Sequence, residues 1–458
     1  MILLNLNIIL DRYTVVFYSR PQSHITNFLF KNSWMILDVF FTIFCLIGDQ
    51  LLNSGLGMYV LVIYFIARIL FSTINQNFSI LVFLIPNLGI MHFTASTVSI
   101  PSLNILICIS LVKLVIKYRN IDISKWYLFF IIFIIFYEAL HLFSYNLKSI
   151  FLLFSWIGAV FYAALYLIYS KNTYNHLNTI KYFLVGLVIS ILYGIVEFYQ
   201  LYGSILNQNA TIRFRGGAGD SNYFSMYIMV AMFSMLHLVL RGKGIGKKIF
   251  YPLLFVFFAG FGILSLSRMF ILVVTITLMF LLLKLLLSLR KSKKLIHFIV
   301  MIIILTTILS FFYHEEILSL LDLLFSRFTN YINDPDALTS NRNIIAESYF
   351  TLMNSDWKLM VFGMGIQDYH IRSGVYLETH NILIELFVVW GLLGFIIFFL
   401  FITVLTVFAS SKKLRRTAFI SWLPLLAMGI SYLSINALSN ESFYLLLLFA
   451  IKNIYEYE

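Results

Sequence analysis

The polar residues between Thr339 and Gly394 include a cation, Arg342, and then Gly363-Met364-Gly365. After these come Asp368, His370, Arg372 and Glu378, and then His380-Asn381 at the mouth of an apolar run holding Gly391 and Gly394. Further arginines stand upstream, Arg213 and Arg215 in RFRGGAGDSNYF (213–224) and Arg268 in LSLSRMF (264–270). Guanidinium groups hold phosphate oxygens through paired donors and stay charged. An imidazole exchanges its proton near neutral pH. Together such groups suit a transfer in which an anionic leaving group departs and a hydroxyl gives up its proton.

Composition decides what must position them. Hydrophobic residues make up 61% of the 458 residues, charged residues 11%, and the mean hydropathy is +0.93. A soluble domain of this length cannot hide that much apolar surface, so the chain is expected to be an all-α, polytopic integral membrane protein. The net charge of +12 is then read by side of the membrane, not as a nucleic-acid footprint. Residues 1–33 form a mixed cytoplasmic or interfacial segment. MILLNLNIIL has no basic n-region or small-residue cleavage site, so no signal peptide is expected.

Apolar runs follow at 34–52, 56–74, 78–93, 98–117, 125–143, 149–170, 179–201, 220–240, 248–265, 267–288, 295–313, 380–409, 417–436 and 440–455. That is about 14 spans (12–14) at roughly 20 residues each. The run at 78–93 holds Pro86 and Gly89 and is expected to be broken or re-entrant. Eleven of the runs fill 34–313, a polar loop occupies 314–379, and the rest lie in 380–458.

Alternate loops carry the bases: Lys117, Arg119 and Lys125; Lys171 and Lys181; Arg241, Lys243, Lys247 and Lys248; Arg290, Lys291, Lys293 and Lys294; Lys412, Lys413, Arg415 and Arg416. Positive residues accumulate on the cytoplasmic side, which puts both termini there and the 314–379 loop outside. That loop holds nine acids against four bases. Arg213, Arg215, Arg268, Arg342 and Arg372 then face outward against the usual bias, as an anionic headgroup partner would require.

Plainer readings stand beside this one. Arg213 and Arg215 could anchor a helix at lipid headgroups, and Arg268 could pair with an acid. His380 could be an interfacial helix-start residue, and Gly391 and Gly394 could serve close helix packing. Asn222 reads as a polar residue at a helix start. Glu138, His141, Glu197, Lys284 and Glu385 fall inside apolar runs, where ionisable side chains face a cavity or a partner. Asp334-Pro335-Asp336 reads as a turn, not a metal site. Cys45 and Cys108 suggest neither a disulfide framework nor a metal site.

The order Arg342, Trp357, Gly363-x-Gly365, His380-Asn381, Gly391-x-x-Gly394, with 213–224 and 264–270 before it, resembles the O-antigen polymerase/O-antigen ligase family of bacterial envelope glycosyltransferases. The resemblance covers roughly residues 180 to 436. It implies a GT-C-like fold with a large extracytoplasmic loop between late helices, in the bacterial inner membrane, with the active site facing the periplasm. It implies polymerisation of undecaprenyl-pyrophosphate-linked oligosaccharide repeats, donor and acceptor alike, into O-antigen or capsule, without cofactor or metal. A chain-length regulator and a flippase are the protein partners it suggests. His380, Arg215, Arg342 and Arg268 would be catalytic; Arg213, Arg372, Asn222, Asn381 and Glu385 would bind substrate. Ligation of finished glycan to a lipid A core or a protein, and flipping of the lipid-linked sugar, are the alternatives.

Overall fold

A computed structural model describes residues 24–52, 55–95, 98–117, 125–141, 147–170, 176–205, 208, 212–241, 245–287, 293–329, 342–366, 369–410, 419–438, 440 and 442–455. Outside these lie residues 1–23, the Asp334-Pro335-Asp336 tract, Asp368, and the loop bases Arg119, Lys171, Lys243, Arg290, Lys291, Lys412, Lys413, Arg415 and Arg416.

The described chain is helical, apart from one short hairpin. In order come α1 (His24–Leu52), α2 (Leu56–Phe71), α3 (Ile74–Leu84) with a 3-10 turn Ile85–Ile90, β1 (His92–Ala95), β2 (Val98–Pro101), α4 (Ser102–Lys117), α5 (Lys125–Ala139) and α6 (Leu147–Tyr169). Then follow α7 (His176–Tyr202), a 3-10 turn Gly216–Ala218, α8 (Ser221–Arg241), α9 (Ile245–Leu264), α10 (Arg268–Leu287) and α11 (Lys293–Phe312). The 314–379 loop contributes α12 (His314–Thr329), α13 (Arg342–Ser355), α14 (Trp357–Phe362) and the single turn α15 (Tyr369–Arg372). The last elements are α16 (Ile382–Ser410), a 3-10 turn Phe419–Trp422, α17 (Leu423–Ser431) and α18 (Ser442–Tyr455). Helix fills most of each apolar run among the described residues, although the hairpin takes the end of 78–93 and the start of 98–117. The run at 78–93 is interrupted as expected: Pro86 sits at the start of the 3-10 turn, where its missing N–H costs nothing.

Four of these helices are long and apolar enough to cross a membrane: Ser33–Leu52, His176–Tyr202, Ser221–Leu240 and Ile382–Leu400. A fifth span arises if α11 and α12 count together, although the two are bent by 100° at their junction. Seven more apolar helices are shorter. Long apolar helices with many side chains pointing outward (Phe44 70% exposed, Ile63 67%) fit a chain embedded in lipid, where each backbone group must be satisfied within its own helix.

The core lies along α7 and α8, which pack on each other and on α1, α3, α9 and α17. Small residues let the backbones meet. A Cβ on Gly186 would lie 2.0 Å from the Phe83 carbonyl oxygen, and one on Gly89 would lie 2.3 Å from the backbone of Ala218. The two ends of the bundle differ. At one end Asp38 accepts from Tyr64 (2.7 Å), Arg68 (3.2 Å) and Tyr182 (3.2 Å), while Trp34 covers the guanidinium at 4.4 Å. That buried pair ties α1, α2 and α7 together. At the other end lie the C-terminus of α7, the N-termini of α8, α10 and α16, and the α13–α15 loop.

Candidate functional site

Three segments build the site, and each has a local reason for its shape. In the first, the RFRGGAGD stretch, Phe214 is buried and donates its N–H to the Leu264 carbonyl (3.3 Å). The chain then enters the 3-10 turn through Gly216 (φ 53°) and leaves it through Gly219 (φ 79°), both in the left-handed region open to glycine. The Gly217 N–H donates to Ser190 Oγ (2.8 Å), which itself donates to the Pro86 carbonyl (2.7 Å). Asp220 caps α8, accepting from the N–H groups of Asn222 (2.8 Å) and Tyr223 (3.1 Å).

The second segment is the turn Ser265-Leu266-Ser267 before Arg268. Leu266 is fully buried at φ 50°, a costly conformation for a leucine. Ser267 donates to the side-chain oxygen of Asn222 (3.4 Å), which couples this turn to the start of α8.

The third is 377–381, gripped from several sides. Tyr349 donates to the Leu377 carbonyl (2.6 Å). Tyr369 accepts from the Thr379 N–H (3.2 Å), and Thr379 Oγ1 donates to Asn436 Oδ1 (3.2 Å). Asn436 in turn donates to the Glu378 carboxylate. His380 follows at φ 48°, another residue held in the left-handed region.

These segments bring Arg213, Arg268, Arg342 and His380 within electrostatic reach of one another. Burial pushes the Arg213 guanidinium down, and Arg268 adds to this while Asp220 opposes it. Arg342 is pushed down by burial and then by Arg268 and Arg213, again against Asp220. Burial and Arg342 hold the His380 imidazole below its ordinary value, against the pull of Glu378 and Asp220. His380 is therefore neutral near pH 7, as a base must be. Asp220 acts on Arg213, Arg342 and His380, and Glu378 on His380, so guanidiniums, acids and the imidazole share one half-buried place. An anion bound there would be held by charge-assisted hydrogen bonds.

Other expected site residues are engaged elsewhere. Arg215 does not join the cluster. Its Nη2 donates to Glu197 at 2.7 Å, and the groups that raise it are Glu197, Tyr202 and Tyr193 on α7. That contact also accounts for Glu197 at the end of an apolar helix. Arg372 donates to the carbonyls of Met364 and Gly365 (3.2 Å to the latter), so it binds the Gly-x-Gly backbone. Asn381 caps α16, accepting from Leu383 (2.8 Å) and Ile384 (3.4 Å). Glu385 is fully buried and accepts from the N–H groups of Ala437 (2.6 Å) and Leu438 (3.1 Å), stapling α16 to the turn before α18.

Glu138 is also fully buried. It takes the Ile366 N–H (2.8 Å) and the Trp390 indole N–H (2.6 Å), fixing the root of the outer loop. His141 approaches the Phe362 carbonyl at 3.2 Å beside it. Among the described residues, no group of three or more His, Cys, Asp and Glu side chains could hold a metal ion.

The sequence names Glu378 only as part of a polar passage and gives Asp220 no role; the long-range effect of both on His380 needs the fold. A membrane-type helical chain with a half-buried cationic cluster beside a histidine at one end is what the fold and site define. The chain matches no family model, no curated protein and no solved structure.

Proposed function

We propose that the protein is a membrane glycosyltransferase that joins lipid-pyrophosphate-linked oligosaccharide repeats into a polysaccharide at the outer face of the bacterial inner membrane. The reading is carried by one observation, the gathering of Arg213, Arg268 and Arg342 into one cluster, with His380 beside Arg342, at one end of the bundle. In this reading all of the roughly fourteen apolar helices cross the membrane in a GT-C-like arrangement. The basic loops face the cytoplasm, so the cationic end faces outward.

The chemistry follows from the groups present. An acceptor sugar hydroxyl attacks the anomeric carbon of the donor, and the bond from that carbon to the pyrophosphate oxygen breaks. The electron pair leaves with the lipid pyrophosphate, and Arg213, Arg268 and Arg342 stabilise the charge that collects on it. His380 takes the hydroxyl proton and returns it to solvent. In-line displacement inverts the anomeric configuration. Arg213 takes the place in the clamp that the sequence suggested for Arg215. The loop carrying α13 to α15 covers the site and opens to release product.

The test is an electrophoretic glycan ladder from a deletion strain, complemented with wild type or with Arg213→Ala. Polymerase function requires loss of every band above the single repeat, restored by wild type only. A ladder retained on the lipid carrier but missing from the final acceptor would identify a ligase. A lipid-linked repeat trapped on the cytoplasmic side would identify a flippase.

A further inference from the structure

A sharp bend between adjacent helices lies just before the outer loop. α11 is mostly apolar after its opening Lys293-Lys294 and exposes Ile303, Ile304 and Ile308. Its end is a patch of aromatic side chains, Phe311 (81% exposed), Phe312 (72%) and Tyr313 (55%). The chain then turns by 100° into α12. If α11 runs across a bilayer, α12 lies in its plane, at the level where α11 leaves the hydrocarbon.

The sequence of α12, HEEILSLLDLLFSRFT, fits that placement. Leu324 is buried. Leu318 and Leu321, three residues apart, share an apolar stripe that stays exposed, and the exposed Phe311–Tyr313 patch precedes it in the chain. Glu316 and Ser319 occupy the opposite, polar arc and are also exposed. Glu315 and Glu316 in the first turn complement the positive end of the helix dipole.

We propose that α12 is an in-plane membrane helix whose Leu318–Leu321 stripe is seated in the leaflet at the site end. The occupant of that stripe is lipid, because the exposed apolar and aromatic end of α11 stands at the bend within two turns of it in the chain. The attachment is apolar and not electrostatic, since the helix presents acids and not a basic face to the headgroups. Neutral lipid should therefore suffice, and salt should not release it. The inference rests on the membrane reading alone and not on the proposed activity.

The experiment is spin labelling in nanodiscs of neutral phosphatidylcholine. The background is the full chain with Cys45→Ala and Cys108→Ala, with single cysteines at Leu318→Cys, Leu321→Cys, Glu316→Cys or Ser319→Cys. Labels at 318 and 321 should collide readily with oxygen and poorly with a water-soluble nickel chelate. Labels at 316 and 319 should show the reverse. Depth from the same ratio should place 318 and 321 about 5–10 Å below the headgroup level. The profile should not change at high salt or with added anionic lipid. Nickel accessibility at all four positions would overturn the proposal by placing the helix in water. Low accessibility to both reagents at 318 and 321 would also overturn it, since a protein surface would then cover the stripe. A seated profile seen only with anionic lipid would overturn the apolar mode of attachment.

Discussion

Gly363 and Gly391 meet back to back. A Cβ on Gly363 would lie 2.3 Å from the Val389 carbonyl oxygen, and one on Gly391 would lie 2.4 Å from the Val361 carbonyl oxygen. Both have positive φ, 79° and 64°. At Gly391 the backbone of α16 departs from helical geometry, with ψ −171°. The carbonyls of Val388 and Val389 then accept from the N–H groups of Met364 (2.9 Å) and Gly365 (2.7 Å). The outer loop is thereby hydrogen-bonded into the middle of a membrane helix.

Substitution at either glycine should therefore strain the backbone and force the two chains apart. Gly363→Ala and Gly391→Ala should each cost about 1–3 kcal/mol. Because both act on one contact, the double variant should cost less than the sum. Thermal midpoints of detergent-solubilised protein, read by size exclusion, measure this. Additive losses would mean that the two sites are independent.

Glu138 holds the same junction from the other side. Glu138→Ala leaves the Ile366 N–H and the Trp390 indole N–H buried without their acceptor, at about 1–3 kcal/mol for each donor. Glu138→Gln keeps one acceptor oxygen and should fall between Ala and wild type. The same thermal measurement orders the three proteins. Equal midpoints would show that the two donors find other acceptors.

The two arginines of RFRGGAGD should behave differently. Arg213 faces the cluster, and its planar fork should not be replaceable by the point charge of lysine. Arg213→Lys should lower glycan polymerisation about 10²-fold or more, the scale typical of losing a group that stabilises developing charge. Arg215→Lys should stay near wild type, because its partly exposed pair with Glu197 contributes about 0–1 kcal/mol. Polymer yield in the complemented deletion strain compares them. Equal damage at both positions would place Arg215 in the site as well.

That contrast marks where the sequence was readable and where it was not. Hydrophobic run length located each long helix, because spanning lipid demands continuous apolar residues wherever they fall in the chain. Ile345 and Tyr349, about one helical turn apart on α13, are both buried. Arg213 and Arg215 could not be told apart, since which one faces the cluster depends on where the chain turns at Gly216 and where Glu197 lies. The substrate-binding roles of Asn381 and Glu385 come from the family resemblance and not from their own chemistry. Whether their side chains satisfy backbone N–H groups depends on α16 and the turn before α18 being folded. Helix α12 was hidden because its apolar residues sit in a loop that reads as polar on average.

The last prediction concerns protonation at His380. Burial and the Arg342 guanidinium hold its imidazole below the usual value near 6.5, while Glu378 and Asp220 act the other way. A base works in its deprotonated form, so activity should be full above the His380 pKa. It should fall as pH drops through that value, giving an acid limb below about 6.5. Glu378→Gln removes one negative neighbour while keeping an oxygen for Asn436. The imidazolium then loses support, the pKa falls further, and the acid limb should move to lower pH. Asp220→Asn should move it the same way and keep the helix cap, since asparagine caps as well as aspartate. His380→Ala should remove about 10²–10⁴-fold of the rate and abolish the acid limb, while donor binding survives on the arginines. Stability should show the linked effect. The unfolded histidine takes up its proton first, so the folded protein should lose stability as pH falls from the unfolded pKa towards the lower folded one. The check is the pH dependence of elongation by purified protein with a lipid-linked donor. An acid limb that stays fixed in Glu378→Gln and Asp220→Asn, or that persists in His380→Ala, would assign the titration to another group.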